Sequence, residues 1–199
     1  MGYIKNKNTL LSHGNIGLRR AALDIVDYAL AKADPYFAVM KLVSLEGDIL
    51  HVGGIRIDLK KTGRIFLLGT GKATFPITRA LEEILGDRID DGVIICKRGQ
   101  EGALSHARLY FSSHPIPDEA GYEAAREALA LAQRTQPGDL VFACITGGSS
   151  ALMPYPVDGI TLEEKKMVNR LLLTCGANII EINAVRKHLS RIKGGWLAK

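Results

Sequence analysis

Four short segments carry much of the glycine, hydroxyl and basic chemistry that could bind an anion. They read GTGK at residues 69–72, CKRG at 96–99, SSHPIPDE at 112–119 and TGGSS at 146–150. Each closes an apolar run, and glycines let a backbone approach an anion closely while hydroxyls add hydrogen-bond donors. The pattern predicts a site for an anionic small molecule at the ends of these runs.

The GTGK segment fits neither of two well-known phosphate-binding loops. A P-loop needs a glycine five residues before its Gly-Lys pair and a Ser or Thr after the lysine, but Phe66 and Ala73 occupy those positions. A dinucleotide fingerprint would place Gly or Ala at Thr74 and an acidic residue at the end of the next strand, where Lys97 and Arg98 stand. The sequence therefore excludes a P-loop and weakens the case for NAD binding.

The sequence allows two interpretations for each of three titratable residues in these segments, Lys72, His114 and Asp118. Lys72 opens a helix, where the helix dipole disfavours a cation, so we favour a lysine directed at phosphate over one that is merely solvated after a turn. His114 precedes a proline and is held extended, as a ligand contact or as a structural histidine. Asp118 is expected either to cap the following helix or to contact a ligand.

The C-terminal segment EINAVRKHLSRIKGGWLAK has helical periodicity. Asn183 is expected to cap a helix with an apolar stripe at Val185, Leu189, Ile192 and Trp196. Basic and hydroxyl residues form two further stripes, Arg186, Ser190 and Lys193 on one and Lys187 and Arg191 on the other. By pattern alone, a solvated basic face and a ligand-binding face both stay open.

The elements that must position these residues alternate between strands and helices. The apolar runs RIFLLGTG, DGVIICKRG, ARLYFSSH and DLVFACITGG predict strands, and ATFPITRALEEIL and EAGYEAAREALALAQ predict helices between them. Strands that are apolar on both faces imply a covered parallel sheet, so we expect a doubly wound, mostly parallel α/β domain with helices on both faces. Helices over residues 14–34 and 36–43 and a hairpin around Gly53-Gly54 should precede it, after a flexible arm at 1–14.

Composition limits the class of protein. With 199 residues, 47% of them hydrophobic and 24% charged, the chain is expected to form a single α/β domain over 1–199. No apolar segment reaches the ~20 residues of a membrane span, and the net charge of +5 lacks the basic run of a nucleic-acid groove. Cys96, Cys144 and Cys175 form no C-x-x-C pair and are expected to be small buried residues. A cytoplasmic protein that binds neither membrane nor nucleic acid is the expectation.

Five blocks together resemble the glycerate 2-kinase family of bacteria and animals, whose members formerly carried the name hydroxypyruvate reductase and have a C-terminal domain of the MOFRL type. The blocks are GTGKA, HPIPDEAG, TGGSSAL, LLLTCGANIIEIN and NAVRKHLSRIKGG. The chain departs from the family pattern at Thr146, which replaces a Ser, at Ser149, which replaces a Gly, and at Trp196, where a basic residue is commoner.

The resemblance implies ATP-dependent phosphorylation of D-glycerate at its 2-hydroxyl, with Mg²⁺. It implies that Lys72 and Arg186 are catalytic and neutralise phosphate or carboxylate charge. It implies that further residues bind phosphate or substrate: Gly69, Gly71, Thr146, Gly147, Gly148, Ser149, Ser150, Asn183, Lys187 and Ser190, with His114 and Asp118 as additional candidates. The residues that bind the metal are not predicted, and a homodimer stays open.

Two other functions remain in view. One is an NAD(P)H-dependent hydroxypyruvate reductase, which the missing dinucleotide fingerprint disfavours. The other is a non-catalytic ligand-binding module, because the chain ends about midway through the family pattern. On the resemblance, the chain is the N-terminal part of a longer two-domain enzyme, and the isolated 199 residues are expected to be inactive.

Overall fold

Three helices and a small antiparallel sheet form the N-terminal part of the fold. In this computed structural model, which describes residues 2–100 and 102–199, the helices are α1 (Lys7–Leu10), α2 (Ile16–Lys32) and α3 (Pro35–Leu42). The strands β1 (Val43–Glu46), β2 (Ile49–Val52) and β3 (Ile55–Asp58) pair antiparallel in that order. The predicted hairpin is the β2–β3 pair, and β1 adds a strand that the sequence pattern did not indicate.

A four-stranded parallel sheet follows. Its elements are β4 (Ile65–Thr70), α4 (Thr74–Leu85), β5 (Asp91–Lys97), β6 (Arg108–Ser112), α5 (Glu119–Gln133) and β7 (Leu140–Ile145). The strand order is β6-β5-β4-β7, with every pairing parallel. After β6 the chain returns to the other side of β4, where β7 pairs with it. The strand order therefore reverses between the neighbouring strands β4 and β7.

Helices cover both faces of this sheet, which confirms the predicted doubly wound α/β class. Leu81 and Leu85 of α4 pack with Leu67 and Ile94 on one face, where Leu50 of the small sheet joins them. On the other face, small residues of α5 such as Ala124 and Ala128 pack against the alternate residues of the strands. All six residues of β4 are buried as a result, as expected for a strand covered on both sides.

The C-terminal part consists of α6 (Ser149–Leu152), α7 (Leu162–Thr174) and α8 (Ile179–His188). The prediction that Asn183 caps the last helix is wrong. Asn178 is the cap, in a reciprocal capping box with Glu181, and Asn183 lies inside α8. Because α8 ends at His188, the predicted stripes do not continue to Ser190, Ile192, Lys193 and Trp196; Ser190 instead forms a bridge with Pro156.

Two further expectations differ from the structure. The α2 helix forms where the sequence predicts it, but none of its side chains is buried, and Leu18 and Ile25 are each 70% exposed. Cys96 and Cys144 are buried as expected, whereas Cys175 is exposed at the end of α7. Among the described residues, no helix combines the length and apolar character needed to cross a membrane. The short helix α1 lies within residues 1–14, and the flexibility of that arm stays a prediction.

Candidate functional site

The four segments singled out in the sequence meet at one edge of the parallel sheet. Backbone hydrogen bonds join them: the Lys72 N–H donates to the Gly147 carbonyl at 2.9 Å, and the Arg98 N–H donates to the Ser112 carbonyl at 2.9 Å. The Gly71 N–H also donates to Ile95 at 3.2 Å. The strand ends therefore form one connected surface, which is where open α/β sheets bind their ligands.

Gly69 and Gly71 are required by packing within this surface. A Cβ at Gly71 would lie 2.0 Å from Thr146 Oγ1, and one at Gly69 would lie 2.5 Å from Thr74 Oγ1. Thr146 Oγ1 also accepts a hydrogen bond from the Ala73 N–H at 3.1 Å. These glycines let the loops after β4 and β7 touch, and their predicted contact with phosphate stays a prediction.

Gly148 brings Lys72 and His114 together. It has φ +98°, and a Cβ there would lie 3.1 Å from His114 Cδ2 and 3.2 Å from Lys72 Cγ. Gly147, by contrast, has no positive φ, and a Cβ would meet only Lys72 Cε, at 4.0 Å. The Lys72 side chain, the His114 imidazole and the glycine pair thus lie side by side at the sheet edge. We call this group the glycine cradle (Lys72, His114, Gly147 and Gly148).

The charge state of His114 follows from its neighbours. Partial burial and the ammonium groups of Lys72 and Lys97 lower the pKa of the imidazole. The ring is therefore neutral at pH 7 and can accept a hydrogen bond. Lys97 adds a second positive charge beside the cradle. In the sequence, this residue was notable only because it makes the end of a strand basic.

Backbone donors in the cradle are free. Within residues 2–100 and 102–199, the N–H groups of Gly147 and Gly148 donate no hydrogen bond. The donors of Ser149 are engaged, because its hydroxyl donates to the Thr70 carbonyl at 2.8 Å and also contacts the Thr146 carbonyl. The loop therefore presents peptide N–H groups, with Ser149 holding it to β4; the Ser150 side chain is exposed beside them.

Asp118 caps α5, as one of its two sequence interpretations predicts. Its Oδ1 accepts from the Gly121 N–H at 2.9 Å and from Ser112 Oγ at 3.0 Å, and its Oδ2 pairs with Arg98 Nη2 at 2.7 Å. Burial opposes ionisation, but the hydrogen bonds from Arg98, Gly121 and Ser112 outweigh it and lower the pKa of Asp118 to about 2. The carboxylate is thus fully engaged in holding β6 and α5 together.

The predicted residues of α8 and its following turn lie in a second group. Arg186 Nε donates to Asn169 Oδ1 of α7 at 3.0 Å. Lys187 and Ser190 line an open groove of about 760 Å³ together with Arg191 and Trp196. Asn183 is exposed on α8. No hydrogen bond or ion pair between described residues connects this group with the glycine cradle. That the two groups act in one site stays a prediction.

A metal centre is not formed by the described part of the chain. Outside Met1 and Glu101, no three His, Cys, Asp or Glu side chains are grouped so as to hold an ion. Asp118, the carboxylate in the same segment as His114, is paired with Arg98.

Sequence reasoning missed two groups that the fold adds. Gln100 Nε2 donates to the Lys72 carbonyl at 2.6 Å, fixing the turn that carries the lysine. Lys165 is only 3% exposed and lies beside Arg186, and no sequence signal marks it, because a lysine on an amphipathic helix is ordinarily solvated. Burial of this kind depends on tertiary packing.

Comparison with known proteins identifies the family. A family model described as "Domain of unknown function (DUF4147)" matches residues 21–199. The chain belongs to this family. The matched residues include the parallel sheet and α6–α8.

Proteins similar to this chain carry two kinds of name. A protein of Pyrococcus horikoshii named "Glycerate 2-kinase" is 42% identical over 182 residues, which are 92% of this chain and 40% of that protein. A protein of Agrobacterium vitis named "Putative hydroxypyruvate reductase" is 34% identical over 197 residues, which are 99% of this chain and 42% of that protein. The crystal structure of glycerate kinase from Thermotoga maritima has a TM-score of 0.75 and 34% sequence identity, covering 90% of this chain and 40% of that one. The chain therefore spans about two fifths of the length of these relatives.

Proposed function

We propose that this chain contributes to a glycerate 2-kinase, which transfers the γ-phosphoryl group of ATP to the 2-hydroxyl of D-glycerate. The glycine cradle is the observation that carries the proposal. It combines two free peptide N–H groups, a neutral imidazole and the ammonium groups of Lys72 and Lys97 at the edge of a parallel sheet. Relatives named glycerate kinase support the choice of substrate.

The cradle residues have the chemical groups that this phosphoryl transfer requires. The 2-hydroxyl oxygen forms a bond to the γ-phosphorus, the bond from that phosphorus to the bridging oxygen of ADP breaks, and the hydroxyl proton is released. Catalysis of this kind depends on positioning and on neutralising charge on the phosphoryl oxygens. Lys72 supplies that positive charge, the N–H groups of Gly147 and Gly148 hold an oxygen, and His114 accepts a hydrogen bond from the hydroxyl.

The proposal also concerns the nucleotide, the metal and the second group of residues. ATP is the proposed phosphoryl donor, because the peptide N–H groups of the cradle and the lysines beside them suit a phosphate. Mg²⁺ is not matched by a carboxylate set in the described residues, so we assign no step to the metal. Arg186, Lys187, Asn183 and Ser190 remain proposed contacts in the second group. A cytoplasmic location and a homodimer likewise stay proposals.

A reductase is the second candidate, and a relative's name favours it. The structure of the β4–α4 turn argues against it. Gly71 is pressed against Thr146, and the basic Lys97 occupies the position at the end of β5 where a dinucleotide-binding fold has an acidic group for the ribose. The cradle therefore favours phosphate over a nicotinamide dinucleotide.

Activity of the native-length protein that contains this chain decides between the two. Purified protein is incubated with D-glycerate and Mg-ATP, and formation of 2-phosphoglycerate is followed by ³¹P NMR; a parallel reaction contains hydroxypyruvate and NADH or NADPH. We expect 2-phosphoglycerate and no oxidation of NADH or NADPH. Oxidation of either at a rate equal to the kinase rate or above it would overturn the proposal.

A further inference from the structure

The side chain of Gln100 joins the end of β5 to the turn after β4. Its Oε1 accepts a hydrogen bond from the Lys97 N–H at 3.2 Å, and its Nε2 donates to the Lys72 carbonyl at 2.6 Å. The Gln100 N–H also donates to the Lys97 carbonyl at 3.3 Å, which closes the turn after β5. A peptide N–H can only donate and a carbonyl can only accept, so the two partners fix the orientation of the amide.

Gln100 completes the support of the Lys72 backbone. The Lys72 N–H donates to the Gly147 carbonyl at 2.9 Å, and the Lys72 carbonyl accepts from Gln100. Lys72 lies before the first residue of α4, and within residues 2–100 and 102–199 no backbone N–H donates to its carbonyl. Gln100 therefore supplies a hydrogen bond that the helix does not.

The segment after Gln100 is itself packed along α4. A Cβ at Gly102 would overlap the ring of Phe75, which lies in the first turn of the helix. Further along α4, the Glu82 carboxylate accepts hydrogen bonds of 2.8–3.0 Å from the backbone N–H groups of residues 105–107. Supporting contacts of this kind hold a functional group in a productive geometry.

We propose that Gln100 is a positioning residue for the phosphoryl transfer, which holds the backbone of Lys72 so that its ammonium group faces the transferring phosphoryl group. The inference rests on the proposed function. A lysine carries its charge on a flexible four-carbon stem, so the region that the ammonium group reaches depends on where the backbone is fixed. Displacement of a catalytic group by about 1 Å can reduce the rate by about 10²-fold.

A double-mutant cycle on the native-length protein tests whether Gln100 acts through Lys72. Steady-state kinetics with D-glycerate and Mg-ATP are measured for wild type, Gln100→Met, Lys72→Met and the double variant. Methionine has nearly the length of glutamine but makes neither hydrogen bond. The matched control is Gln136→Met, because Gln136 is exposed before β7, at the opposite edge of the sheet, and its side chain forms no hydrogen bond within residues 2–100 and 102–199.

We expect Gln100→Met to lower kcat by about 10-fold and to leave the KM for D-glycerate within about two-fold of wild type, because a transition-state contact is misplaced. In the Lys72→Met background, the same substitution should change kcat/KM by less than about two-fold, since the charge that it positions is gone. Gln136→Met should retain wild-type rates. An equal loss in both backgrounds, or no loss in the wild-type background, would refute the inference.

An NMR titration of His114 reports the position of Lys72 without catalysis. Atoms of both side chains lie within 3.3 Å of the Cβ position at Gly148, and burial together with the charges of Lys72 and Lys97 lowers the pKa of the imidazole. Lys72→Met should raise the pKa of His114, Gln100→Met should raise it by a smaller amount, and Gln136→Met should leave it at the wild-type value. The His114→Gln variant assigns the resonance by its loss.

An unchanged pKa of His114 in folded Gln100→Met would also refute the inference. A raised pKa in a native-length protein that forms no 2-phosphoglycerate would refute the proposed function but retain the placement of Lys72 by Gln100, so the two failures are distinguishable. If Gln100→Met does not fold, Gln100→Asn is judged by the same criteria, because its side chain is one methylene group too short to make both hydrogen bonds.

Discussion

The N–H of Lys72 donates a hydrogen bond of 2.9 Å to the carbonyl of Gly147, joining the turn after β4 to the loop after β7. The two strands are hydrogen-bonded neighbours at the point where the strand order reverses. The lysine is therefore held by its backbone against the glycine pair while its side chain lies along Gly148. This contact makes Lys72 and the TGGSS loop a single unit.

Removal of the Lys72 charge should reduce catalysis without unfolding the protein. In native-length protein, we expect Lys72→Met to lower kcat/KM for D-glycerate and ATP by about 10²-fold or more, because a preorganised charge on the transferring phosphoryl group is lost. Its Tm should match wild type, since the side chain is exposed. Lys41→Met, an exposed lysine on α3, is the control and should retain activity. An unchanged rate for Lys72→Met would show that the lysine is only solvated.

The two glycines of the cradle should respond differently to alanine. Gly148→Ala places a Cβ against His114 and Lys72 at φ +98°, so we expect both a loss of about 1 kcal/mol or more of stability and a higher KM. Gly147→Ala meets only Lys72 Cε, at 4.0 Å, and should change the Tm little. Thermal melts and initial rates on native-length protein measure both effects. Unaltered KM values in folded Gly148→Ala would leave Gly148 as a turn residue alone.

Asp118 should stabilise the fold in a pH-dependent manner. Its pKa is lowered to about 2, so the ionised carboxylate favours the folded state; this contribution is full above about pH 4 and is lost as the pH falls towards 2. We expect Asp118→Asn to melt several degrees below wild type at pH 7, with the difference shrinking below pH 4. The control is Asp87→Asn, at a fully exposed carboxylate. A difference that is constant between pH 7 and pH 2.5 would contradict the ion pair with Arg98.

Lys193 should act in the opposite pH range. Its pKa is lowered to about 8, so the folded state binds fewer protons than the unfolded state between pH 8 and about 10.5, and stability from this group rises with pH across that window. We expect the Tm of wild type to rise relative to that of Lys193→Met between pH 8 and pH 10. The comparison cancels other groups that titrate there. A parallel course of the two curves would show that Lys193 is solvated in the folded state.

The three cysteines should differ in reactivity. Cys175 is exposed at the end of α7, whereas burial raises the pKa of Cys96 and of Cys144 to about 11. A colorimetric thiol reagent should therefore modify one thiol of the native chain rapidly at pH 8 and all three in denaturant. Cys175→Ser should abolish the rapid phase. Rapid modification of two or more thiols in folded protein would show that the sheet opens.

The sequence alone was sufficient for the parallel sheet, its covering helices and the edge where its polar segments collect. Those features follow from local pattern. The strands β4 and β5 are apolar at successive positions because both of their faces are covered. Each of these apolar runs is followed by a glycine-containing turn, in which backbone N–H groups are available to a ligand. The role of Asp118 as a cap was readable for the same reason, since capping depends on residues within one turn.

Other features were decided by tertiary structure. The sequence analysis placed the cap of the last helix at Asn183, whereas the helix begins at the Asn178–Glu181 capping box, a local signal that it missed. After His188 the chain leaves the helix and pairs Ser190 with Pro156, a contact between distant segments that periodicity does not report. The contact of His114 with Gly148 and the burial of Lys165 beside Arg186 join residues far apart in the chain. Periodicity reports which face of an element is apolar, but the charges that meet across two elements depend on how those elements pack, which no single segment encodes.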